Sequence, residues 1–245
     1  MAKLMRMLIT RPEPDAQATQ DRLSALGIEG SLAPLMIRQN VDASVPSGAF
    51  AGVAVTSTNA LRSLEDQGLI ERFRDVPTFA VGDRTAYEAR ALGFTNVVAA
   101  DGTLPSLVTT IALSRNSGPI FYPAGRHLSG DLGHALTPHG ILVATATVYE
   151  MVSETSLPSG LLDDLEADGF GAVLFYSRRT AEIFCSLAQS IELGKRRTLP
   201  MLCMSEKVAE PLLENHFSRV LLSDYPSEDA MMALALAFAR EQTGA

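Results

Sequence analysis

Cationic side chains are scarce in this chain: 20 Lys and Arg stand against 28 Asp and Glu, a formal net charge of −8. Affinity for phosphate backbones comes mainly from clustered Lys and Arg, so nucleic acid is disfavoured as a partner. Acidic small molecules stay open if positive groups converge locally. Cysteine is scarcer still. Cys185 and Cys203 lie 18 residues apart, outside any CxxC, each in an apolar segment where a reduced thiol behaves as a small hydrophobe, so both are expected in the core. Long apolar runs are missing too. The longest, Ala230 to Ala239, has ten residues, against the roughly 20 that span a bilayer. The opening MAKLMRMLITRP has only a short apolar stretch before Arg11 and Pro12 and no small-residue cleavage site after it. It reads as the first β-strand of a cytoplasmic protein rather than a signal peptide.

The motifs of several chemistries are absent as well. No GxGxxG or GxxxxGK[ST] follows a strand, which disfavours a dinucleotide or P-loop nucleotide cofactor. His127, His134, His139 and His216 form no HExxH and have no CxxC partner, so no metal site is expected. Without GxSxG, no Ser or Cys stands in a recognisable nucleophile elbow, and covalent hydrolysis is disfavoured.

What is present is an aliphatic-rich chain of 245 residues, 47% hydrophobic and 20% charged, the composition of a globular protein with well-buried sheets. The length suits two small domains. The sequence also repeats itself. Phe50 to Ser57 (FAGVAVTS) matches Phe170 to Ser177 (FGAVLFYS) 120 residues later. Thr78 to Ala86 matches Met201 to Ala209 at an offset of 123, and the same offset aligns Phe94, Val97 and Asp101 with Phe217, Val220 and Asp224. A third pairing, at 113, aligns Leu8, Leu23, Gly27, Ile28 and Ala33 with Phe121, Leu136, Gly140, Ile141 and Ala146. Matches in the same order at nearly constant offset indicate a duplication.

Each repeat reads strand, helix, strand, then strand, helix, strand, helix, strand, helix. The strands, such as Met7–Thr10, Val53–Thr56, Ile120–Tyr122 and Val173–Tyr176, are apolar without period-two alternation, as strands covered on both faces are. Parallel doubly wound sheets follow. Gly27, Gly93 and Gly140 are expected to end helices, and Ser57, Ser177 and Ser205 to begin them. Two extended stretches, Pro34–Val41 and Ala144–Val152, fall at matching places in the repeats and could pair as a two-stranded connector. The expected architecture is α/β: a discontinuous domain of residues 1–37 and 153–245, an inserted domain of residues 42–145, connector strands 38–41 and 146–152, and a ligand site in the interdomain cleft.

In open α/β sheets, ligands sit beyond the carboxyl ends of strands, where helix N-termini offer free N–H groups. Here those ends carry Arg11, Thr56–Asn59, Gly82–Thr85, Arg126, Ser177–Thr180 and Ser205–Lys207. Hydroxyls and cations gathered this way suit a ligand with several carboxylates, although each one taken alone is equally a helix cap or a solvated charge. Tyr149, in the second extended stretch, is either a cross-strand packing aromatic or a side chain aimed at the ligand.

Taken together, ITRP (Ile9–Pro12), VTSTNAL (Val55–Leu61), AVGDRTA (Ala80–Ala86), AGRHLSGDLGHAL (Ala124–Leu136), TVYEM (Thr147–Met151) and LFYSRRTAEIF (Leu174–Phe184) resemble the uroporphyrinogen-III synthase family, in order and across nearly the whole chain. The resemblance implies two α/β domains with the site between them, a monomer, no metal or organic cofactor, and hydroxymethylbilane as substrate, cyclised with loss of water. It assigns Ser57, the Thr58 amide, Thr85, Tyr149 and Ser177 to the substrate cleft and extends more weakly to Arg11 and Arg126; of these Tyr149 is our candidate for catalysis, the others for substrate binding. The second AVGxxTA-like segment departs from the family pattern: CMSEKVA puts Ser205 where the glycine would be, and Lys207 could meet a carboxylate there instead. Contact with porphobilinogen deaminase stays open. So does a rival reading, a non-catalytic protein that binds or senses an acidic small molecule.

Overall fold

The computed structural model describes residues 5–42, 44–114, 118–128 and 130–243; Ser129, inside the AGRHLSGDLGHAL segment, lies outside them. From the N-terminus the elements are β1 (Arg6–Ile9), α1 (Asp15–Ala25), β2 (Glu29–Leu32), β3 (Met36–Asn40), β4 (Gly52–Val55), α2 (Thr58–Asp66), α3 (Ile70–Phe73), β5 (Thr78–Ala80), α4 (Asp83–Ala91), β6 (Val97–Ala99), α5 (Leu104–Leu113) and β7 (Ile120–Gly125). Next come α6 (Leu132–Leu136), a 3-10 turn (Thr137–His139), β8 (Val143–Ser153), α7 (Leu161–Glu166), β9 (Ala172–Phe175), α8 (Arg178–Leu187), α9 (Leu193–Thr198), β10 (Met201–Cys203), α10 (Glu206–Glu214), β11 (Val220–Leu222) and α11 (Glu228–Thr243). Among the described residues, no helix is long and apolar enough to cross a membrane.

The chain divides into two compact units. Unit 1 holds Met1–Ile37 with Val152–Ala245, and unit 2 holds Arg38–Met151. The sheet of unit 1 runs β11-β10-β9-β1-β2, and its neighbouring strands are parallel. Its strands are apolar throughout because both faces are covered. Leu8, Val173, Phe175, Met201 and Cys203 face one cluster, with α7, α8 and α10 packed on it. Met7, Ile9, Ala172, Leu174 and Leu202 face the other, under α1 and α11. Alternate residues thus feed opposite cores, as the two-residue side-chain period of a strand requires.

Unit 2 repeats the scheme in the order β3-β8-β7-β4-β5-β6. Val53, Val55, Ala80 and Phe121 pack under α2, α3 and α4, while Ala54, Phe79, Ile120 and Tyr122 pack under α5 and α6. In the first cluster the Phe73 and Phe121 rings stack at 4.6 Å between centroids.

The duplication read from the sequence recurs as identical strand register. Val53 pairs with Thr78 and Val55 with Ala80, as Val173 pairs with Met201 and Phe175 with Cys203. Thr78 pairs with Val97 as Met201 pairs with Val220. Leu8 pairs with Ser31 and Val173, as Phe121 pairs with Ala144 and Val53. In chain order, however, β1 and β2 of the first repeat join β9, β10 and β11 of the second, while β4, β5 and β6 of the first join β7 and β8 of the second. Each unit is therefore assembled from halves of both repeats.

Several local expectations are met. Gly27, Gly93 and Gly140 all have positive φ at the ends of helical segments, and Cys185 and Cys203 are buried in the core of unit 1, where loss of solvation pushes both thiols up to about 12. Others are corrected. The two matching extended stretches are not alike: Pro34 lies in the break between β2 and β3, whereas β8 runs unbroken for 11 residues. Proline lacks the N–H that a continuing ladder would use, and no proline occurs within β8. Two short helices, α3 and α9, and the helix α7 before β9 were also not anticipated.

The edge strand β3 is held down by a polar network. The Arg38 guanidinium donates to Ser63 at 2.7 Å and to Asp66 at 2.9 Å, and Asn40 donates to the same Asp66 carboxylate at 3.0 Å. These hydrogen bonds, that of Asn40 foremost, hold the Asp66 carboxyl below its ordinary range.

Candidate functional site

Because all the strands of the unit 1 sheet, and β8, β7, β4, β5 and β6 of the unit 2 sheet, are parallel, their carboxyl ends and the N-termini of the following helices share one edge. In unit 2 the strand order lays out along that edge Tyr149 on β8, Gly125 and Arg126 at the end of β7, Thr56–Asn59 after β4, and Gly82–Thr85 after β5.

Ser57 is the N-cap of α2, with extended backbone, and its hydroxyl oxygen accepts from the Asn59 N–H at 3.1 Å. Accepting uses a lone pair and leaves the O–H proton free to donate. Thr58 is the first residue of the helix, so its N–H belongs to the set that finds no partner inside the helix. Thr85 is buried in the first turn of α4. The turn before it is tight: a Cβ added at Gly82 would lie 3.2 Å from the Gly102 Cα, so a side chain there would press the loops after β5 and β6 apart by a few tenths of an ångström.

Tyr149 is partly buried against the apolar cluster under α2. Ala124 pairs with Thr147 but Gly125 pairs with Tyr149, so Val148 is an extra residue, a β-bulge in β8. Bulges re-aim the side chains that follow them. Arg126 holds the bulge: its N–H donates to the Tyr149 carbonyl at 2.9 Å and its guanidinium pairs with Glu150. The Asn59 amide reaches the Met151 sulfur at 3.6 Å, tying the first turn of α2 to β8. Sequence reasoning missed Tyr122, which is buried on β7 with its hydroxyl 3.0 Å from that of Thr56. Burial pushes the Tyr122 phenol up, and Tyr149 and Asp131 are near enough to add to the shift. The available signal was a tyrosine in the apolar run IFYPAG, because a buried phenol needs a partner.

In unit 1 the corresponding edge carries Ser177, the N-cap of α8, whose hydroxyl oxygen accepts from the Thr180 N–H at 3.2 Å. Arg178 beside it is tied to Glu182 and Glu210. Lys207 is exposed in the first turn of α10. Ser205 occupies the N-cap position of α10 with the same extended backbone as Gly82, yet its side chain caps nothing. Arg11 differs most from the picture of a ligand cation. It is buried, paired with Asp15 at 3.0 Å and with Glu228, donates to Thr19 at 3.0 Å, and lies 4.1 Å over the Tyr176 ring.

The structure therefore collects Ser57, Thr58, Thr85, Arg126 and Tyr149 on one edge of unit 2, and Ser177, Lys207 and Arg11 at strand ends of unit 1. A model of the family described as uroporphyrinogen-III synthase HemD matches residues 17–233. The chain belongs to that family. The resemblance read from the sequence is thereby confirmed, and membership makes the chain a cyclising lyase of tetrapyrrole biosynthesis. Solved structures agree in fold. The uroporphyrinogen-III synthetase of Helicobacter pylori 26695 aligns with a TM-score of 0.67 at 17% identity, covering 96% of this chain and 99% of that one. A mutant uroporphyrinogen III synthase from the extremely thermophilic bacterium Thermus thermophilus aligns with a TM-score of 0.55 at 18% identity, covering 97% and 99%. No curated protein sequence matches the chain.

Proposed function

We propose that this family member takes hydroxymethylbilane, cyclises it with loss of water and inverts its last pyrrole ring. Loss of the terminal hydroxyl gives an electrophilic azafulvene, which closes unaided to the isomer without inversion. The protein redirects closure to the substituted carbon of the last ring; the resulting spirocycle fragments and recloses with the ring turned over. Positioning of this kind is worth up to roughly 7–11 kcal/mol in favourable intramolecular reactions.

In this reading Tyr149 donates a hydrogen bond to the departing hydroxyl. Ser57, the Thr58 amide, Thr85, Ser177, Arg126 and Lys207 hold carboxylates of the substrate, and Arg11 is set aside because its own carboxylate partners already surround it. The observation that carries the reading is the unit 2 edge, where Tyr149 follows a bulge in β8 and the first turn of α2 is tied to the same strand. In the same reading the chain forms two doubly wound domains that share the substrate, joined by connector strands 38–41 and 146–152. The hydrogen bonds from Val41 N–H to the Val148 carbonyl and from Glu154 N–H to the Leu35 carbonyl support an antiparallel pairing of those strands. The protein acts without a cofactor and as a monomer.

A coupled assay with porphobilinogen deaminase tests the activity. The expected product is isomer III; a folded protein that leaves the product as isomer I contradicts the proposal and favours a binding role. Tyr149→Phe tests the assignment within it. One lost hydrogen bond to a group that gains charge as it departs should slow turnover about tenfold or more, while near-normal turnover removes Tyr149 from the chemistry.

A further inference from the structure

Gly125 ends β7 directly opposite Tyr149. Its φ is outside the left-handed region, so its backbone does not call for glycine. Space does. A Cβ built on Gly125 would lie 2.7 Å from the Tyr149 Cζ, 2.9 Å from its hydroxyl oxygen and 3.1 Å from Cε2. All three atoms belong to the hydroxyl end of the ring, and the first two distances are shorter than a carbon side chain tolerates. The phenol therefore occupies the volume that a side chain at position 125 would take.

The backbone of Tyr149 cannot readily give way. The Arg126 N–H holds its carbonyl, the Arg126–Glu150 pair closes the bulge on one side, and the Asn59–Met151 contact fixes a nearby residue of β8 to α2. What can yield is the ring itself, which turns about two side-chain bonds. A side chain at 125 would thus be accommodated by swinging the Tyr149 hydroxyl away, at little cost to the fold.

We propose that Gly125 is a positioning residue for the ring-inverting reaction: by having no side chain it seats the Tyr149 phenol at the end of β7. The inference rests on the assignment of Tyr149 to the leaving-group step, and the test separates the two. Gly125→Ala, Tyr149→Phe and the double variant are compared in the deaminase-coupled assay for kcat, KM and the ratio of isomer III to isomer I. Gly125→Ala is expected to lower kcat about tenfold, the effect of one misplaced hydrogen bond, with KM within about twofold and a larger share of isomer I. In the Tyr149→Phe background the same substitution should cost less than about twofold further, since the hydroxyl it displaces is already gone.

A slow Tyr149→Phe beside an unimpaired Gly125→Ala overturns the positioning role alone, as do losses that multiply in the double variant. A Tyr149→Phe with normal turnover overturns the catalytic assignment and this inference with it. Should Gly125→Ala fail to fold, Gly125→Ala/Tyr149→Ala decides: recovery of a cooperative melt supports the contact, and a double variant that is still unfolded refutes it.

Discussion

Arg11 carries its charge inside unit 1, where Asp15, Glu228, Thr19 and the face of Tyr176 surround it. The sequence places it at the end of a strand, the right place for a ligand cation. The carboxylate that claims it comes from α11, 217 residues away, and no local pattern announces such a partner. Truncating one member of a buried pair strands the others. Arg11→Met is expected to destabilise unit 1 by about 2–3 kcal/mol, below the figure for a fully buried pair because both carboxylates keep some contact with water. A lowered urea midpoint with KM unchanged in the remaining folded enzyme checks this; a raised KM with stability intact would return Arg11 to the substrate site. Tyr149 and Gly125 show the reverse case. Each was visible within a motif, but only the cross-strand register makes them neighbours.

At the level of the element, the serines that begin helices do not all cap them. Ser57 and Ser177 stand at the same place in their repeats, and both accept a backbone N–H of the helix they begin. Ser205, read from the sequence as a third cap, has the backbone but not the hydrogen bond. Ser57→Ala and Ser177→Ala should each cost about 1 kcal/mol, and Ser205→Ala no more than a few tenths, from the general worth of an N-cap hydroxyl. Thermal melts of the three variants give the ordering directly, and equal losses at all three would contradict it. The caps were legible because a serine between an apolar strand and an amphipathic run has a local meaning. The bulge in β8 was not, since an extra residue in a strand is defined only by the strand opposite.

For the whole molecule, the two units make unequal demands on chain connectivity. Unit 2 is one continuous segment, Arg38–Met151, with two hydrophobic clusters of its own. Unit 1 needs both ends of the chain, because β1 and β2 extend the sheet from β9. A fragment of residues 38–151 is expected to melt cooperatively by itself. A fragment of residues 152–245 lacks two of five strands and the helix α1 that covers one face, so it should remain molten until residues 1–37 are added. Circular dichroism melts of the fragments, separately and mixed, check both statements, and a cooperative transition from 152–245 alone would refute the second.

The amino-acid sequence by itself determined the fold class, the duplication, the two buried cysteines and the family, because each is written in periods and spacings that need no distant partner. Apolar strands without alternation point to strands covered on both faces, and a repeated register follows once both copies keep the same apolar positions. Tertiary structure alone decided which half of each repeat pairs with which, that Glu228 occupies Arg11, that Tyr122 lies against Thr56, and that the Tyr149 ring fills the space over Gly125. These arrangements depend on strand order, on the partner that a distant helix supplies, and on a one-residue bulge. Single-residue spacing carries no information about any of them.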